Sequence, residues 1–217
     1  MAEPFIIAVD GPAASGKGTL AKQLARHFGL RHLDTGLLYR AVGAHMLENG
    51  DDLGDAETSE MVARSLDLST LDPDYLAEHK NGEAASRVAA HTPVRAALLH
   101  AQRDFASQAP GAVLDGRDIG TVVCPDAAAK LFVTADLEAR ADRRYRQALE
   151  KDPGASLAAI KDDLARRDAR DSGRKDAPLR KADDALLLDT TKMRIDAAFE
   201  AARVFVISKW TPETPKP

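Results

Sequence analysis

The sequence predicts an α/β protein built on a parallel sheet with helices on both faces. Three observations carry that expectation. Phe5 to Val9 is a short apolar run rich in β-branched residues, the composition of a strand buried on both sides. Further short apolar runs at 112–114, 130–135 and 185–188 recur between longer segments of helical periodicity, and strands alternating with helices imply parallel pairing. Between the first strand and the first helix, Gly11-Pro12-Ala13-Ala14-Ser15-Gly16-Lys17 has the G-x-x-x-x-G-K spacing of a phosphate-binding loop.

The loop sits in the context it requires. From Lys17 the sequence turns helical, with Leu20, Leu24 and Phe28 every fourth residue and Gly29 where a C-cap belongs. Glycines let successive N–H groups turn inward toward phosphate oxygens, and the helix N-terminus adds its positive end. Lys17 supplies a point charge for the β- and γ-phosphates. The strict pattern has Ser or Thr directly after the lysine, whereas Gly18 intervenes here and Thr19 follows. A nucleotide-phosphate site over Gly11–Thr19 is the reading, with Thr19 an oxygen that could serve Mg²⁺.

The remaining elements follow in order. Residues 34–47 read as a helix opened by Asp34 or Thr35, with Leu38, Val42 and Met46 along one face. Residues 56–66 read as a short helix. Leu68 to Gly82 is weakly patterned and reads as a surface excursion. Ser86 to Ala109 is mostly helical, broken near Thr92-Pro93 because a residue before proline avoids the α region. A buried strand then ends in Asp115-Gly116-Arg117-Asp118. Residues 130–135 form the next strand, 136–150 an Arg-rich helix, and Asp152-Pro153-Gly154 a break before a charged helix running to about Asp171. A last strand at 185–188 and a helix over 192–207 complete the pattern, with a disordered tail after Trp210.

Three polar constellations stand out. In a doubly wound sheet, ligands lie beyond the carboxyl ends of the strands, so Thr35 and Arg40 can face the nucleotide; equally, Asp34 and Thr35 suit a helix cap with a solvent-facing arginine. Asp115, Arg117 and Asp118 follow a buried strand. A strand-end Asp beside a phosphate loop often serves Mg²⁺ or its water shell, Arg117 has the planar fork for a phosphate, and Asp118 can accept from an exocyclic amine. The alternative is a polar turn whose charges satisfy one another. Arg140, Arg143 and Arg144 share one helix face, as do Arg167, Arg170, Asp171 and Arg174. Such runs are usually solvated faces laced with ion pairs, such as Asp163–Arg167; beside a phosphate loop they are also the cations that phosphoryl transfer needs.

Composition narrows the classes. The 217 residues suffice for one large domain. A formal net charge of −4 argues against general nucleic-acid affinity. The single cysteine, Cys124, excludes an internal disulfide and suits a reducing compartment. No apolar stretch approaches the roughly 20 residues that span a bilayer, and the first residues lack the basic and apolar regions of a signal peptide. A cytoplasmic, monomeric protein without membrane or nucleic-acid partners is the expectation. The six histidines show no metal-ligand spacing.

At this point the residues resemble a family, the bacterial-type cytidylate kinases. The resemblance rests on DGPAASGKGT near the N-terminus, LDTGLLYR at 33–40, SRVAAHTPVR at 86–95, LDGRDIGTVVCPDA at 114–127, RRDARDSGR at 166–174 and APL at 177–179, spanning most of the chain. The G-K-G-T form of the loop is similar to that of nucleoside-monophosphate kinases. The resemblance implies their fold over 1–217, with a short monophosphate-binding insert at about 56–92 and a helical lid at about 146–178. It also implies ATP-dependent phosphorylation of CMP, and commonly dCMP, with Mg²⁺ accompanying ATP. Carried over by position, Gly11, Pro12, Ala13, Ala14, Ser15, Gly16, Lys17, Gly18 and Thr19 hold ATP. Thr35, Arg40 and Arg117 resemble acceptor-phosphate contacts, and Ser86, Arg95 and Asp118 the cytosine-reading set. Arg167 and Asp171 resemble ribose and lid contacts, with Arg174 near the acceptor. The segment between Leu66 and Ser86 is shorter than in many relatives and differs in sequence.

The expected catalytic set is Lys17, Arg117, Arg167 and Arg170, with Asp115 beside the acceptor or on the metal's water shell. An acceptor phosphate with a second pKa of about 6 needs no general base, and alignment with charge neutralisation suffices. Two other functions share these features. A kinase for UMP or a shikimate-like acceptor would use the same loop and arginines but leave Asp118, Ser86 and Arg95 unexplained. A nucleotide-dependent switch would carry a guanine-reading N-K-x-D motif, which is absent from the sequence.

Overall fold

The computed structural model describes residues 4–67, 71–150 and 152–210. The chain divides into two compact units, Met1–Leu33 with Ala106–Pro217, and Asp34–Phe105.

The first unit is organised on a five-stranded sheet of order β2-β3-β1-β4-β5. Its strands are β1 (Phe5–Asp10), β2 (Arg31–Asp34), β3 (Gly111–Gly116), β4 (Ala129–Thr134) and β5 (Leu186–Asp189). β1 pairs in parallel with both β3 and β4, and β4 with β5. Alternation explains the burial. Phe5, Ile7 and Val9 share one face with Val113, Leu131 and Val133, and there they meet Leu20, Leu24 and Phe28 of α1 (Lys17–Phe28) and Ala202 and Val206 of α9 (Ile195–Lys209). Ala8, Ala112 and Leu114, out of phase with that set, are also fully buried, as the apolar composition of β1 predicts. Trp210 stacks on Phe5 and Phe28, with ring centroids 4.1 and 5.4 Å away.

The register aligns Asp10, the last residue of β1, with Gly116, the last of β3. The loop after β1 and the turn after β3 therefore leave the sheet at the same end. After β4 come α7 (Leu137–Leu149) and α8 (Leu157–Ser172), capped by Asp136 and Ser156, whose side chains accept from Ala139 N and Ala159 N. Ala141, Ile160 and Leu164 of these helices pack on Ala13 of the loop.

The second unit is helical: α2 (Thr35–Asn49), α3 (Ala56–Ser65), α4 (Pro73–Leu76), α5 (His79–Val88) and α6 (Thr92–Ser107). Leu38, Val42 and Met46 of α2 form the core with Val62 and Ala63, Ala84, Ala85 and Val88, and Val94 and Leu98. That is the face read from their spacing.

Two readings require correction. β2 is absent from the sequence reading, because Arg31-His32-Leu33-Asp34 has a single apolar residue and is only four residues long. The stretch to Gly82 is not a surface excursion over its described part: Pro73 opens α4 behind the Asp72 cap, Leu76 is buried, and α5 begins at His79. Residues 68–70, and the tail after Trp210 read as disordered, lie outside the described residues. Among the described residues no helix is long and apolar enough to cross a membrane.

Candidate active site

The loop's shape is set by backbone conformations that L side chains rarely adopt. Gly11 has φ +153°, and a Cβ there would stand 2.0 Å from the Val133 carbonyl oxygen of β4. Ala14 has φ 59°, and Gly16, the N-cap of α1, has φ 89°. No side chain caps α1 and no acidic residue occupies its first turn, so its N–H groups and positive end are available to an anion. Lys17 Nζ donates to the Pro12 carbonyl at 3.4 Å, curling back over the loop. Ser15 Oγ is buried without a hydrogen-bond partner, while the Ser15 carbonyl accepts from Thr190 Oγ1 at 2.9 Å. Thr19 is exposed.

Arg140 supports the loop from beneath. Its side chain is 6% exposed. Nε donates to the Ala135 carbonyl at 2.9 Å, Nη1 to the Ala13 carbonyl at 3.2 Å, and Nη2 to Asp168 Oδ2 at 2.6 Å. Arg143 donates to Thr190 Oγ1 at 3.0 Å and to the Thr190 carbonyl. Of the arginines on α7, these two are therefore framework, while Arg144 reaches Gln147 on its own helix. On α8, Asp163 pairs with Arg166.

The end of β3 gathers charge beside the loop. Asp115 Oδ1 lies 3.6 Å from where a Cβ on Gly18 would stand, next to the first turn of α1. Its Oδ2 accepts from His32 Nε2 of β2 at 2.8 Å. Beyond Arg117 and Asp118, residues Ile119–Val123 form one π-helical turn, with Val122 N and Val123 N donating to the Asp118 carbonyl at 2.8 and 3.2 Å. The two N–H groups that open this turn, on Ile119 and Gly120, donate to Asp10 Oδ1 and Oδ2, each at 2.8 Å. Burial pushes the Asp10 carboxyl up to about 7, with the Asp118 charge adding to the effect and the two N–H groups and Lys17 opposing it.

Asp171 is the hub of the arginine cluster. It accepts from Arg117 Nε at 2.7 Å and pairs with Arg174. Burial alone would raise its carboxyl, but Arg117 and Arg174, joined by the field of Arg167, outweigh that and hold it below the ordinary range. Arg170, half-buried, precedes Asp171 in the last turn of α8, whereas Arg174 lies past the Gly173 C-cap, so the helix face read from spacing ends before it.

In the second unit, Asp34 caps α2 by accepting from Gly36 N at 2.9 Å and also receives Arg40 Nη1 at 3.2 Å. Thr35 is 3% exposed. Arg95 lies over the Tyr39 ring, 5.6 Å from its centroid. Ser86 is 4% exposed, and its Oγ has no hydrogen-bond partner, which leaves a buried hydroxyl available to a ligand.

Of the residues expected from sequence, the first unit couples Lys17 and Asp118 through Asp10, gathers Arg117, Arg167 and Arg174 on Asp171, and sets Asp115 beside Gly18. Thr35, Arg40, Ser86 and Arg95 belong to the second unit. Two residues that shape the site, Asp10 and His32, were not singled out, and a third, Arg140, was given another role. Asp10 and His32 carried no pattern of their own, and only the strand end and the loop beside them mark them out. Arg140 was seen, but as a member of a charged face.

A phosphate loop at the end of the first of several parallel strands, faced by arginines and strand-end carboxylates, defines a P-loop phosphotransferase of the α/β class. A family described as cytidylate kinase matches residues 7–204, and this chain belongs to that family. It is 56% identical over 203 residues to the cytidylate kinase of Brucella suis, covering 94% of this chain and 93% of that one. It is 54% identical over 202 residues to that of Rhizobium meliloti, covering 93% and 95%. An uncharacterized protein from Eubacterium ventriosum shares the fold, with a TM-score of 0.57 at 15% identity over 95% of this chain and 99% of the other.

Proposed function

We propose that this chain transfers the γ-phosphoryl group of ATP to the phosphate of CMP or dCMP, giving ADP and CDP or dCDP. The observation that carries this reading is the loop itself: an uncapped helix N-terminus, inward-turned backbone and Lys17, next to the Asp115–Asp118 strand end. The bond from the γ-phosphorus to its bridging oxygen breaks, and an acceptor phosphate oxygen takes its place. That oxygen is already anionic near neutral pH, so no side chain must remove a proton. Catalysis is then alignment and charge neutralisation.

The roles follow the chemistry of each group. Gly11–Thr19 hold the ATP phosphates, and Lys17 draws charge from the transferring group. Arg117, Arg167 and Arg170 supply further cations, while Asp171 and Arg174 hold the acceptor nucleotide. Thr35 and Arg40 grip the acceptor phosphate. Ser86, Arg95 and Asp118 read cytosine, whose N4 amine complements a carboxylate; uracil presents a carbonyl oxygen there instead and sets acceptor against acceptor. The orphaned Ser86 hydroxyl supports that assignment. The region 146–178 acts as the lid, and 56–92 as the acceptor-binding insert.

Mg²⁺ enters this reading with ATP. Asp115 suits an ion held chiefly by phosphates and water, because its Oδ1 faces Gly18 and Oδ2 is oriented by His32. Thr19 is the other oxygen of the loop that suits it. Bound there, Mg²⁺ offsets charge on the β- and γ-phosphates.

The test is ADP release with ATP and Mg²⁺ across CMP, dCMP, UMP, AMP, GMP and shikimate. Rapid turnover on CMP and dCMP, slower on UMP and negligible on the purines and shikimate, is expected. Preference for another acceptor would discard the cytosine assignment, and release independent of any acceptor would discard the kinase.

A further inference from the structure

We propose that Asp10 is a positioning residue for acceptor-base selection, its carboxylate fastening the turn that begins at Asp118 to the strand that leads into the phosphate loop. The proposal rests on the reading of Asp118 as a cytosine contact.

The geometry uses both oxygens of the carboxylate. Oδ1 takes the N–H of Ile119 and Oδ2 the N–H of Gly120, each at 2.8 Å, across more than a hundred residues of sequence. These two N–H groups open the π-helical turn, where no earlier carbonyl of the turn can reach them. Ile119 is 0% exposed, so without Asp10 two adjacent donors would be buried with nothing to accept them, a costly arrangement. The first residue past β3's polar end that the turn fixes is Asp118, whose own carbonyl receives Val122 N and Val123 N. The peptide between Asp118 and Ile119 is thus held at both its polar groups, its carbonyl by the π turn and its N–H, through Asp10, by β1.

Nothing in the packing of β1 asks for an acid at this point. Asp10 continues the strand's buried register, and a buried carboxyl is unfavourable where an apolar residue would serve. The rise of its pKa to about 7, despite two N–H partners and Lys17, reflects that penalty. A group retained at such cost beside a nucleotide loop points to a geometric task. The turn packs closely on this strand: a Cβ on Gly120 would lie 3.2 Å from Lys130 Cδ and in ordinary contact, 3.5 Å, with Asp10 Oδ2. π turns of this kind recur at functional sites, where they aim a side chain that a regular helix would misdirect.

The experiment is steady-state kinetics of the full chain with CMP and UMP. Asp10→Asn keeps the volume but turns an amide N–H₂ toward one of the two backbone N–H groups. We expect the CMP:UMP ratio of kcat/KM to fall about tenfold, with KM for CMP rising about tenfold and KM for ATP within about twofold. Asp118→Ala, measured in parallel, separates the two ideas. If Asp118→Ala collapses the ratio and a folded Asp10→Asn leaves it unchanged, the positioning role is wrong and base reading by Asp118 stands. If Asp118→Ala leaves the ratio unchanged, base reading fails and the proposal falls with it. A rise in KM for ATP equal to that for CMP would make Asp10 a general support of the loop, which also overturns the proposal. Should Asp10→Asn not fold, Asp10→Ser, whose hydroxyl can accept from at most one of the two N–H groups, takes its place and must reproduce the split; a normal ratio in that variant refutes the role.

Discussion

Arg117 and Asp171, 54 residues apart in sequence, form an ion pair in which Nε donates to Oδ2 at 2.7 Å, with side chains 17% and 3% exposed. Arg174 joins from the other oxygen with 5% of its side chain exposed. Two groups expected to meet the acceptor nucleotide therefore hold one another, linking the turn after β3 to the end of α8. Removing the shared carboxylate leaves buried guanidinium groups uncompensated. Asp171→Ala is expected to lower stability by about 3 kcal/mol or more, a fall in Tm of roughly 6–12 °C for a chain this size, read by thermal melting. Because this carboxyl is held below its ordinary 3.8, its contribution is present above that value and disappears as pH falls through the lowered one. A Tm unchanged at pH 7 would mean the cluster adds nothing to folding.

Asp10 has the opposite sign. It binds its proton more tightly in the folded chain, so it adds stability below its ordinary 3.8 that is lost as pH rises through about 7. Asn at this position cannot titrate. The unfolding free energy of the wild type minus that of Asp10→Asn is therefore expected to be larger at pH 5 than at pH 8, measured by urea titration at both. An equal difference would show that the carboxyl is not shifted.

Lys17→Ala is expected to reduce kcat/KM for CMP by about 10³-fold. Lys17 Nζ is a half-buried amine that donates at 3.4 Å to a carbonyl of its own loop, so the thermal midpoint should stay within about 2 °C. Near-normal turnover would sink the phosphate-loop assignment.

Arg140 makes a different prediction from its neighbours on α7. Arg140→Ala deprives Ala135, Ala13 and Asp168 of a donor at once, and about 3 kcal/mol of stability should be lost. KM for ATP is expected to rise several-fold because Ala13 is part of the loop. Arg144→Ala, on an exposed contact within the helix, should leave stability within about 0.5 kcal/mol. Similar melting curves for the two variants would contradict the framework role.

The sheet and the loop were legible because their signals are local and strong. Phe5–Val9 is apolar enough to read as a buried strand, and the glycine spacing is decisive only beside a strand and a helix. The long helices were legible from spacing and caps, as with Leu38, Val42 and Met46 behind Asp34. What escaped depends on tertiary context. β2 carries one apolar residue in four and is a strand only because β3 lies beside it. The early turns of α5 contain Asn81 and Gly82, poor helix formers, yet Asn81 is fully buried and its amide donates to the Tyr75 carbonyl at 2.9 Å. Arginine spacing showed that Arg140 and Arg143 share a face but not that the loop and Thr190 occupy it. The His32–Asp115 and Asp10–Gly120 contacts join positions 83 and 110 residues apart, a separation at which no periodicity reports.

The two glycines that define the phosphate loop are unequal as experimental probes. A methyl group on Gly11 would collide with the Val133 carbonyl, a backbone atom tied into the sheet, whereas one on Gly16 would enter open space. Gly16→Ala confronts mainly the left-handed φ, a cost of about 1–2 kcal/mol. An inactive Gly11→Ala protein would thus be ambiguous, since a disrupted strand pair and a lost nucleotide look alike in a turnover assay. Impaired ATP binding by a well-folded Gly16→Ala protein would speak about the ligand alone. Mutational surveys that weight both positions by motif membership would credit the nucleotide with a constraint that the sheet imposes.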